Sequence, residues 1–148
     1  MTVTEADALP KGGDLSNRFD RCFQAAKDGV DAYFDWIDAD GGEFWIWEDG
    51  DHILASGGWA RGKASPAMEA DQRDQAVIFG VVVSESARGQ GLGRTVMNHL
   101  EGRIAASGVK WALLEVVVGN QAAEGLYATR GFKAFETVMA KRLSSPDA

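Results

Sequence analysis

The spacing of apolar positions in the first third of the chain predicts helical structure. From Ser16 to Asp38, apolar residues repeat at three- and four-residue steps, which is the pattern of an amphipathic helix. Gly29 disfavours helix within this stretch, so we expect two helices instead of one. Residues 1–14 are expected to be weakly ordered, and Thr2-Val3-Thr4 is a poor candidate for a first strand.

The next apolar positions fall in two short runs, which predict a β-hairpin from Glu43 to Ala60. Asp49-Gly50 stands between the runs and is favoured in tight hairpin turns where both residues need a positive φ. Gly57 and Gly58 interrupt the second strand and predict a β-bulge there. The polar stretch Arg61–Asp74 is long for a connection, and we expect a mobile loop of 14 residues.

The second half of the chain alternates between continuous apolar runs and helical spacing. Apolar, β-branched segments predict buried strands at Ala76–Val83 and Trp111–Val118, with a helix at Arg94–Ala106 between them. A further helix and a closing strand at about Ala134–Leu143 follow. This alternation indicates an α/β or α+β layer with helices on a sheet, and 148 residues fit one domain spanning 1–148.

Composition narrows the class of protein. A net charge of −7 and a pI of about 4.8 argue against a nucleic-acid partner, which needs a basic surface. No apolar run approaches the ~20 residues that span a bilayer, and residues 1–7 lack the features of a signal peptide. We therefore expect no membrane partner and a cytoplasmic protein, and the single Cys22 fits that reducing compartment. His52 and His99 show no metal-ligand spacing, so no metal is predicted.

The loop Arg88–Gly93, with the sequence R-G-Q-G-L-G, lies between a predicted strand and a predicted helix. The first amides of a helix have no partner within it, the helix dipole is positive there, and glycines let an anion approach the backbone. A P-loop would need lysine in place of Arg94, and a dinucleotide fingerprint would need G-x-G-x-x-G. Neither pattern is present, and the loop taken alone is better explained as a flexible turn.

A second motif downstream gives this loop a family context. Arg88–Gly93 fits the pattern Q/R-x-x-G-x-G/A. Six further residues fit N-x-x-A-x-x-L-Y-x-x-x-G-F, namely Asn120, Ala123, Leu126, Tyr127, Gly131 and Phe132. Together the two motifs resemble the GNAT superfamily of N-acetyltransferases, which use acetyl-coenzyme A (acetyl-CoA). The resemblance covers Val77 to about Leu143 and implies a central mixed, mostly antiparallel twisted sheet flanked by helices.

By this resemblance the coenzyme binds mainly to backbone groups, and no metal takes part. Val81, Val82 and Val83 would lie beside the pantetheine arm and the thioester carbonyl, while their side chains serve as ordinary core of a strand. Asn120 suits a helix cap, a coenzyme contact or both. The pyrophosphate would bind the loop and the first helical turn, at Arg88, Gly89, Gln90, Gly91, Leu92, Gly93 and Arg94.

The resemblance also implies two catalytic groups. Tyr127 matches the family's tyrosine acid, and a phenol with an ordinary pKa of about 10 can protonate a leaving thiolate; packing on the sheet is the alternative. Glu115 is the only charge in its predicted strand, where an unpaired buried carboxylate would be costly. Leu114-Glu115-Val116 fits a strand that carries a base glutamate in the branch acetylating protein N-termini. A base and a structural ion pair are equal alternatives for Glu115.

The implied reaction is direct acetyl transfer to a primary amine in a ternary complex. The acceptor is a small amine or antibiotic, or a peptide N-terminus. Trp36 and Trp45 would belong to an acceptor wall that, with acidic residues between Asp31 and Asp51, suits a cation, although solvated surface also explains those acidic residues. Rival hypotheses are a CoA-binding regulatory module without catalysis and a toxin-type acetylase of aminoacyl-tRNA, against which the acidic charge counts. Family members are often dimers, so a homodimer stays open.

Overall fold

The computed structural model describes residues 1–6, 27–62, 74–116 and 118–145. The chain divides into two compact units, Met1–Glu115 and Val116–Ala148. The first unit contains a five-stranded sheet with its strands in chain order: β1 (Thr2–Glu5), β2 (Gly42–Asp49), β3 (His52–Arg61), β4 (Gln75–Val83) and β5 (Trp111–Leu114). Its helices are α1 (Lys27–Asp40) and α2 (Leu92–Ala106), and the second unit contains α3 (Gln121–Thr129).

The sheet is mixed and mostly antiparallel. Strands β1 to β4 are antiparallel neighbours, and β5 joins β4 in parallel. A parallel neighbour requires a crossover connection, and α2 supplies it between β4 and β5. The predicted fold class is therefore confirmed.

The N-terminal part differs from the prediction in two respects. β1 is present as a short strand whose residues pair with β2, although all four of its side chains are exposed. Backbone pairing forms this strand without an apolar signal. α1 begins at Lys27 and continues through Gly29, so the helix is not interrupted at the glycine itself; the cost of about 1 kcal/mol for a helical glycine is small enough for packing to offset. Whether a second helix precedes α1 stays a prediction. The predictions for 7–14 and 16–26 lie outside the described residues.

The predicted hairpin forms, but its turn is shifted by one residue. Asp49 pairs with His52, so Gly50 and Asp51 are the two loop residues. Only Gly50 has a positive φ, of +58°. The turn therefore needs one residue in the left-handed region instead of the two that the sequence suggested.

The predicted long loop after β3 lies largely outside the described residues, from 63 to 73. Its two ends are joined, because the amide of Gly62 donates to the carbonyl of Gln75 at 2.9 Å. The guanidinium of Arg61 also lies 3.6 Å from the carboxylate of Asp74. These contacts hold the end of β3 next to the start of β4.

The predicted bulge at Gly57 and Gly58 lies instead on the neighbouring strand. β3 continues through both glycines, and the register between β3 and β4 shifts so that Gly80 and Val81 stand opposite Gly57 alone. Gly80 has a φ of +63°, which places it in the left-handed region common in such bulges. A bulge therefore forms next to Gly57, but the extra residue belongs to β4 and not to β3.

Gly57 and Gly58 instead permit close packing on opposite faces of the sheet. A Cβ on Gly57 would lie 2.9 Å from Leu100 of α2, whereas a Cβ on Gly58 would lie 2.6 Å from the ring of Phe44. Successive residues of a strand point to opposite faces, so α2 covers one face and Phe44 lies on the other.

Each helix of the first unit covers one of these faces. On the first, α2 buries residues at the spacing that predicted the helix, namely Val96, Met97, Leu100 and Ile104. On the second, the core cluster consists of Phe44, Ile46, Ile53, Ala60 and Phe79, and α1 packs against it through Tyr33, Phe34, Trp36 and Ile37. No helix in the described ranges is both long and apolar enough to cross a bilayer.

The predicted closing strand at Ala134–Leu143 is not formed. Residues 132–143 have no regular secondary structure, and Phe135, Val138, Met139 and Leu143 are exposed. A strand is stabilised by pairing with a neighbour, and the described residues of the second unit contain no other strand. An apolar, β-prone segment is therefore insufficient by itself to make this element.

Candidate functional site

The predicted anion loop connects β4 to α2 through a short 3₁₀ turn at Glu85–Ala87. Gly89 and Gly91 both have φ of +78°, and Gly91 is the N-cap of α2. Nothing lies within 4 Å of a Cβ built on either glycine, so their backbone conformation, and not a lack of space, demands glycine. The loop is exposed from Arg88 to Gly91.

The N-terminus of α2 is not capped by a side chain. Gly91 carries no capping group, and the first turn contains no acidic residue. The helix bonds begin where the amide of Thr95 donates to the carbonyl of Gly91 at 3.1 Å. The amides from Gly91 to Arg94 therefore precede the helical ladder and suit an anion such as a pyrophosphate.

Arg88 shapes this loop. Its Nε donates to the carbonyl of Val83 at 3.1 Å, and its backbone amide lies 3.4 Å from the carbonyl of Glu85. The side chain thus connects the loop to the last residue of β4. This geometry gives Arg88 a structural role in the loop, and its exposed position leaves it accessible to a phosphate.

The sheet opens next to this loop. β4 pairs with β5 only from Gln75–Trp111 to Ile78–Leu114, although β4 continues to Val83. Within the described part of the chain, no strand therefore pairs with Val81, Val82 and Val83 on the side of β5. Backbone groups along this open edge can bind an extended ligand, as the resemblance implied for the pantetheine arm.

Glu115 lies directly after β5 and is exposed. The sequence predicted a buried strand through Val118, but β5 ends at Leu114, and Val117 lies outside the described residues. The Glu115 carboxylate is therefore not buried, while its roles as a base or in a structural ion pair both stay predictions. The last pair between β4 and β5 is Ile78 with Leu114, and β5 ends there.

In the second unit, residues at both ends of the Asn120–Phe132 motif cap the two ends of α3. The Oδ1 of Asn120 accepts from the amide of Ala123 at 3.3 Å, which confirms the capping role of Asn120. At the other end, the amide of Gly131 donates to Ala128 and the amide of Phe132 donates to Tyr127, each at 3.1 Å. With Gly131 at φ +90°, these bonds form a Schellman cap.

The ring of Tyr127 packs at the C-terminal cap of α3, whereas its hydroxyl takes no part in that cap. Its ring centroid lies 6.0 Å from that of Phe132 in an edge-on contact, which is the apolar contact that accompanies a Schellman cap. Burial raises the pKa of the Tyr127 phenol above its ordinary value. The group is therefore protonated at neutral pH and can act as an acid.

The predicted aromatic wall of Trp36 and Trp45 is wrong, because the two side chains lie on opposite faces of the sheet. Trp36 stacks on Phe79 on the α1 face, and its indole donates to the carbonyl of Arg61 at 3.0 Å. Trp45 packs on the α2 face beneath the guanidinium of Arg103, 5.5 Å from the ring centroid. Trp45 therefore contacts a cation of its own chain.

An ion pair that the sequence did not predict joins β2 to α2. The Nε of Arg103 lies 3.0 and 3.1 Å from the two carboxylate oxygens of Glu43, and an Nη atom binds the same carboxylate. The indoles of Trp59 and Trp45 also donate to Glu43, at 3.0 and 3.4 Å. A carboxylate in a hairpin and an arginine on a helix gave no signal of a contact, since 60 positions separate them.

His99 lies beside this ion pair. Its ring makes edge-on contacts with Trp45 and Trp47 at centroid distances of 4.3 and 5.5 Å. Its buried Nε2 has no hydrogen-bond partner in the described part of the chain. Burial, reinforced by the positive charge of Arg103 and partly opposed by Glu43, lowers the pKa of His99.

The predicted site residues thus fall in both units. The loop, the valines of β4 and Glu115 belong to the first unit, and Asn120 and Tyr127 to the second. Among the described residues, no group of three or more histidine, cysteine or acidic side chains is placed to hold a metal ion.

Comparison with known proteins connects this arrangement to a family. The [ribosomal protein bS18]-alanine N-acetyltransferase of Escherichia coli (strain K12) is 39% identical over 59 residues, which are 40% of this chain and 40% of that protein. The match thus spans less than half the length of this curated relative.

Two solved structures share the fold. A mutant of the BH1408 protein from Bacillus halodurans superposes with a TM-score of 0.73 at 18% identity, covering 97% of this chain and 100% of that one. A "predicted acetyltransferase with acetyl-CoA" from Clostridium acetobutylicum gives a TM-score of 0.63 at 15% identity, covering 93% and 80%. The family model described as acetyltransferase (GNAT) matches residues 13–132, most of the chain. The chain therefore belongs to the acetyltransferase (GNAT) family.

Proposed function

We propose that this protein is an N-acetyltransferase that moves the acetyl group of acetyl-CoA to a primary amine. The observation that carries the proposal is the junction of β4 and α2. The uncapped amides from Gly91 to Arg94 suit the coenzyme pyrophosphate, and they follow a strand whose last residues are open on the side of β5. That open edge suits the extended pantetheine arm, and the family supplies the class of reaction.

The proposed reaction is a direct transfer within a ternary complex, without a metal. The lone pair of a neutral amine attacks the thioester carbonyl carbon, and the carbon–sulfur bond breaks. Tyr127 donates its proton to the departing thiolate, and its raised pKa keeps that proton available at neutral pH. Glu115, exposed at the end of β5, accepts the proton of the amine directly or through a water.

The acceptor we favour is the amine at a peptide N-terminus. The curated relative is named for the alanine of a ribosomal protein, and this supports a peptide before a small amine or an antibiotic. The family match from 13 to 132 extends into both units, which supports treating 1–148 as one domain. A cytoplasmic location and a homodimer stay predictions.

The test is binding followed by turnover. Acetyl-CoA should raise the melting temperature of the protein, because a ligand bound only by the folded state stabilises it. The protein should then release free thiol from acetyl-CoA when an alanine-terminated peptide is added, and less with the same peptide blocked at its N-terminus. An equal thermal shift with NAD or ATP would contradict the coenzyme assignment. Binding of acetyl-CoA without turnover by any peptide, small amine or aminoglycoside would favour a regulatory module.

A further inference from the structure

Ser56 is a fully buried hydroxyl beside the bulge of β4. It lies on β3 with no solvent exposure, and its Oγ donates to the carbonyl of Gly80 at 2.8 Å. A buried hydroxyl needs a partner, since leaving it unpaired costs about 1–3 kcal/mol. Its partner here is the residue of β4 that adopts φ +63°.

The bulge leaves two residues of β4 without a directly opposite partner on β3. Ser56 pairs with Val82 and Gly58 pairs with Phe79, so Gly80 and Val81 fall between these pairs. On the other side, pairing with β5 has already ended at Ile78. In this irregular part of the sheet, the hydroxyl of Ser56 supplies a side-chain bond to the peptide group between Gly80 and Val81.

That bond has a consequence for the neighbouring amide. A trans peptide group is planar, and its C=O and N–H point in opposite directions. Because Ser56 binds the oxygen of Gly80, the N–H of Val81 must point away from Ser56. The ring of Phe44 also packs close to this peptide, because a Cβ built on Gly80 would lie 3.1 Å from it.

We propose that Ser56 is a positioning residue that orients the Val81 amide toward the thioester carbonyl of acetyl-CoA. The inference rests on the proposed function, with the thioester beside Val81 to Val83 as the family resemblance implies. An amide aimed at the carbonyl oxygen stabilises the negative charge that develops there during attack, and such stabilisation depends on an orientation fixed in advance. Ser56 does not touch the coenzyme and acts only through the Gly80–Val81 peptide group.

The experiment compares two ligands that differ only in the acetyl group. CoA lacks the thioester carbonyl and acetyl-CoA carries it, so the ratio of their dissociation constants reports the carbonyl contact. Isothermal titration calorimetry should show that Ser56→Ala weakens acetyl-CoA about five- to tenfold and changes CoA less than about twofold, the loss expected for one hydrogen bond. Ser56→Cys, similar in size but a weak donor, should show the same change in ratio.

Ser107→Ala is the matched control. Ser107 also donates its hydroxyl to a backbone carbonyl, that of Ile104 at 2.6 Å, but it lies at the C-terminal end of α2. This variant should lose some stability and keep the ligand ratio of the unchanged protein. An unchanged ratio in both Ser56 variants, or equal weakening of both ligands, would overturn the inference. If the unchanged protein bound neither ligand, the proposed function itself would be contradicted.

Discussion

Gly91 and Gly108 stand just outside the two ends of α2 in the same left-handed conformation, with φ of +78° and +87°. Neither would bring a Cβ within 4 Å of another group. The two positions therefore share their strain and their open surroundings. They differ in the helix end that they adjoin, since only Gly91 precedes free amides with a positive dipole end.

This pair gives a matched test of the anion loop. Gly91→Val and Gly108→Val should each destabilise the protein by about 1–2 kcal/mol, because a branched residue is strained at positive φ. Only Gly91→Val should lose the rise in melting temperature caused by acetyl-CoA. A full thermal shift in Gly91→Val would contradict the loop assignment, and loss of the shift in both variants would point to general damage of α2.

Tyr127→Phe separates the hydroxyl of Tyr127 from its ring. The variant keeps the edge-on contact with Phe132 and the C-terminal cap of α3, so the melting temperature and the affinity for acetyl-CoA should barely change. Removal of a positioned acid should lower kcat by ~10²–10⁴-fold. A variant with unchanged kcat would show that another group or water protonates the thiolate.

Glu115→Gln tests the proposed base. Because Glu115 is exposed, the free energy of unfolding should change by less than about 0.5 kcal/mol in urea titrations. The rate with a working amine should fall, and the acid limb of its pH profile should change, since a base must be ionised to act. Glu124→Gln, at an exposed carboxylate in the first turn of α3, should leave rate and profile intact. Full activity of Glu115→Gln would remove this residue from the mechanism.

The lowered pKa of Glu43 predicts that the folded protein loses stability in acid. Burial acts to raise the pKa of Glu43, but the hydrogen bonds from Arg103, Trp59 and Trp45 outweigh it and lower the pKa below the ordinary value of 4.5. The unfolded chain then binds this proton at a higher pH than the folded chain does. The stabilisation is complete above about pH 4.5 and is lost as the pH falls through the lowered pKa.

Urea unfolding measured between pH 3 and 7 checks this expectation. Glu43→Gln should be less stable than the unchanged protein at pH 7, by about 1–3 kcal/mol for the loss of charged hydrogen bonds, and the difference should shrink toward pH 3. Asp38→Asn, at an exposed carboxylate of α1, should leave the acid dependence as it is. A constant difference between Glu43→Gln and the unchanged protein at every pH would contradict the assignment.

The lowered pKa of His99 predicts that the stability of the protein also depends on pH nearer neutrality. Its folded-state pKa is lowered from 6.5 by burial and by Arg103, so the unfolded chain binds more protons below about pH 6.5. The free energy of unfolding should therefore decrease as the pH falls from 7 to 5.5. His99→Phe, which keeps a ring between Trp45 and Trp47, should flatten this decrease. The same slope in His99→Phe would assign the effect to another group.

The sequence by itself determined the features that depend on neighbouring residues. The glycines within Arg88–Gly93 predicted a loop, because glycine readily adopts the left-handed conformation found at Gly89 and at Gly91, the N-cap of α2. The spacing of Val96, Leu100 and Ile104 predicted the buried face of that helix. Asn120 predicted the start of α3, since an N-cap side chain binds an amide only a few positions away.

Only the tertiary structure decided the features that depend on distant partners. The bulge lies on β4 at Gly80, and not on β3 at Gly57, because register is a property of two strands together. Trp36 and Trp45 lie on opposite faces because Trp36 belongs to α1, which packs on one face, whereas Trp45 contacts Arg103 of α2 on the other. Glu43 finds Arg103 60 positions away, and β5 ends at Leu114 where β4 parts from it. Local composition does not encode such contacts, since they form only when packing brings separate segments together.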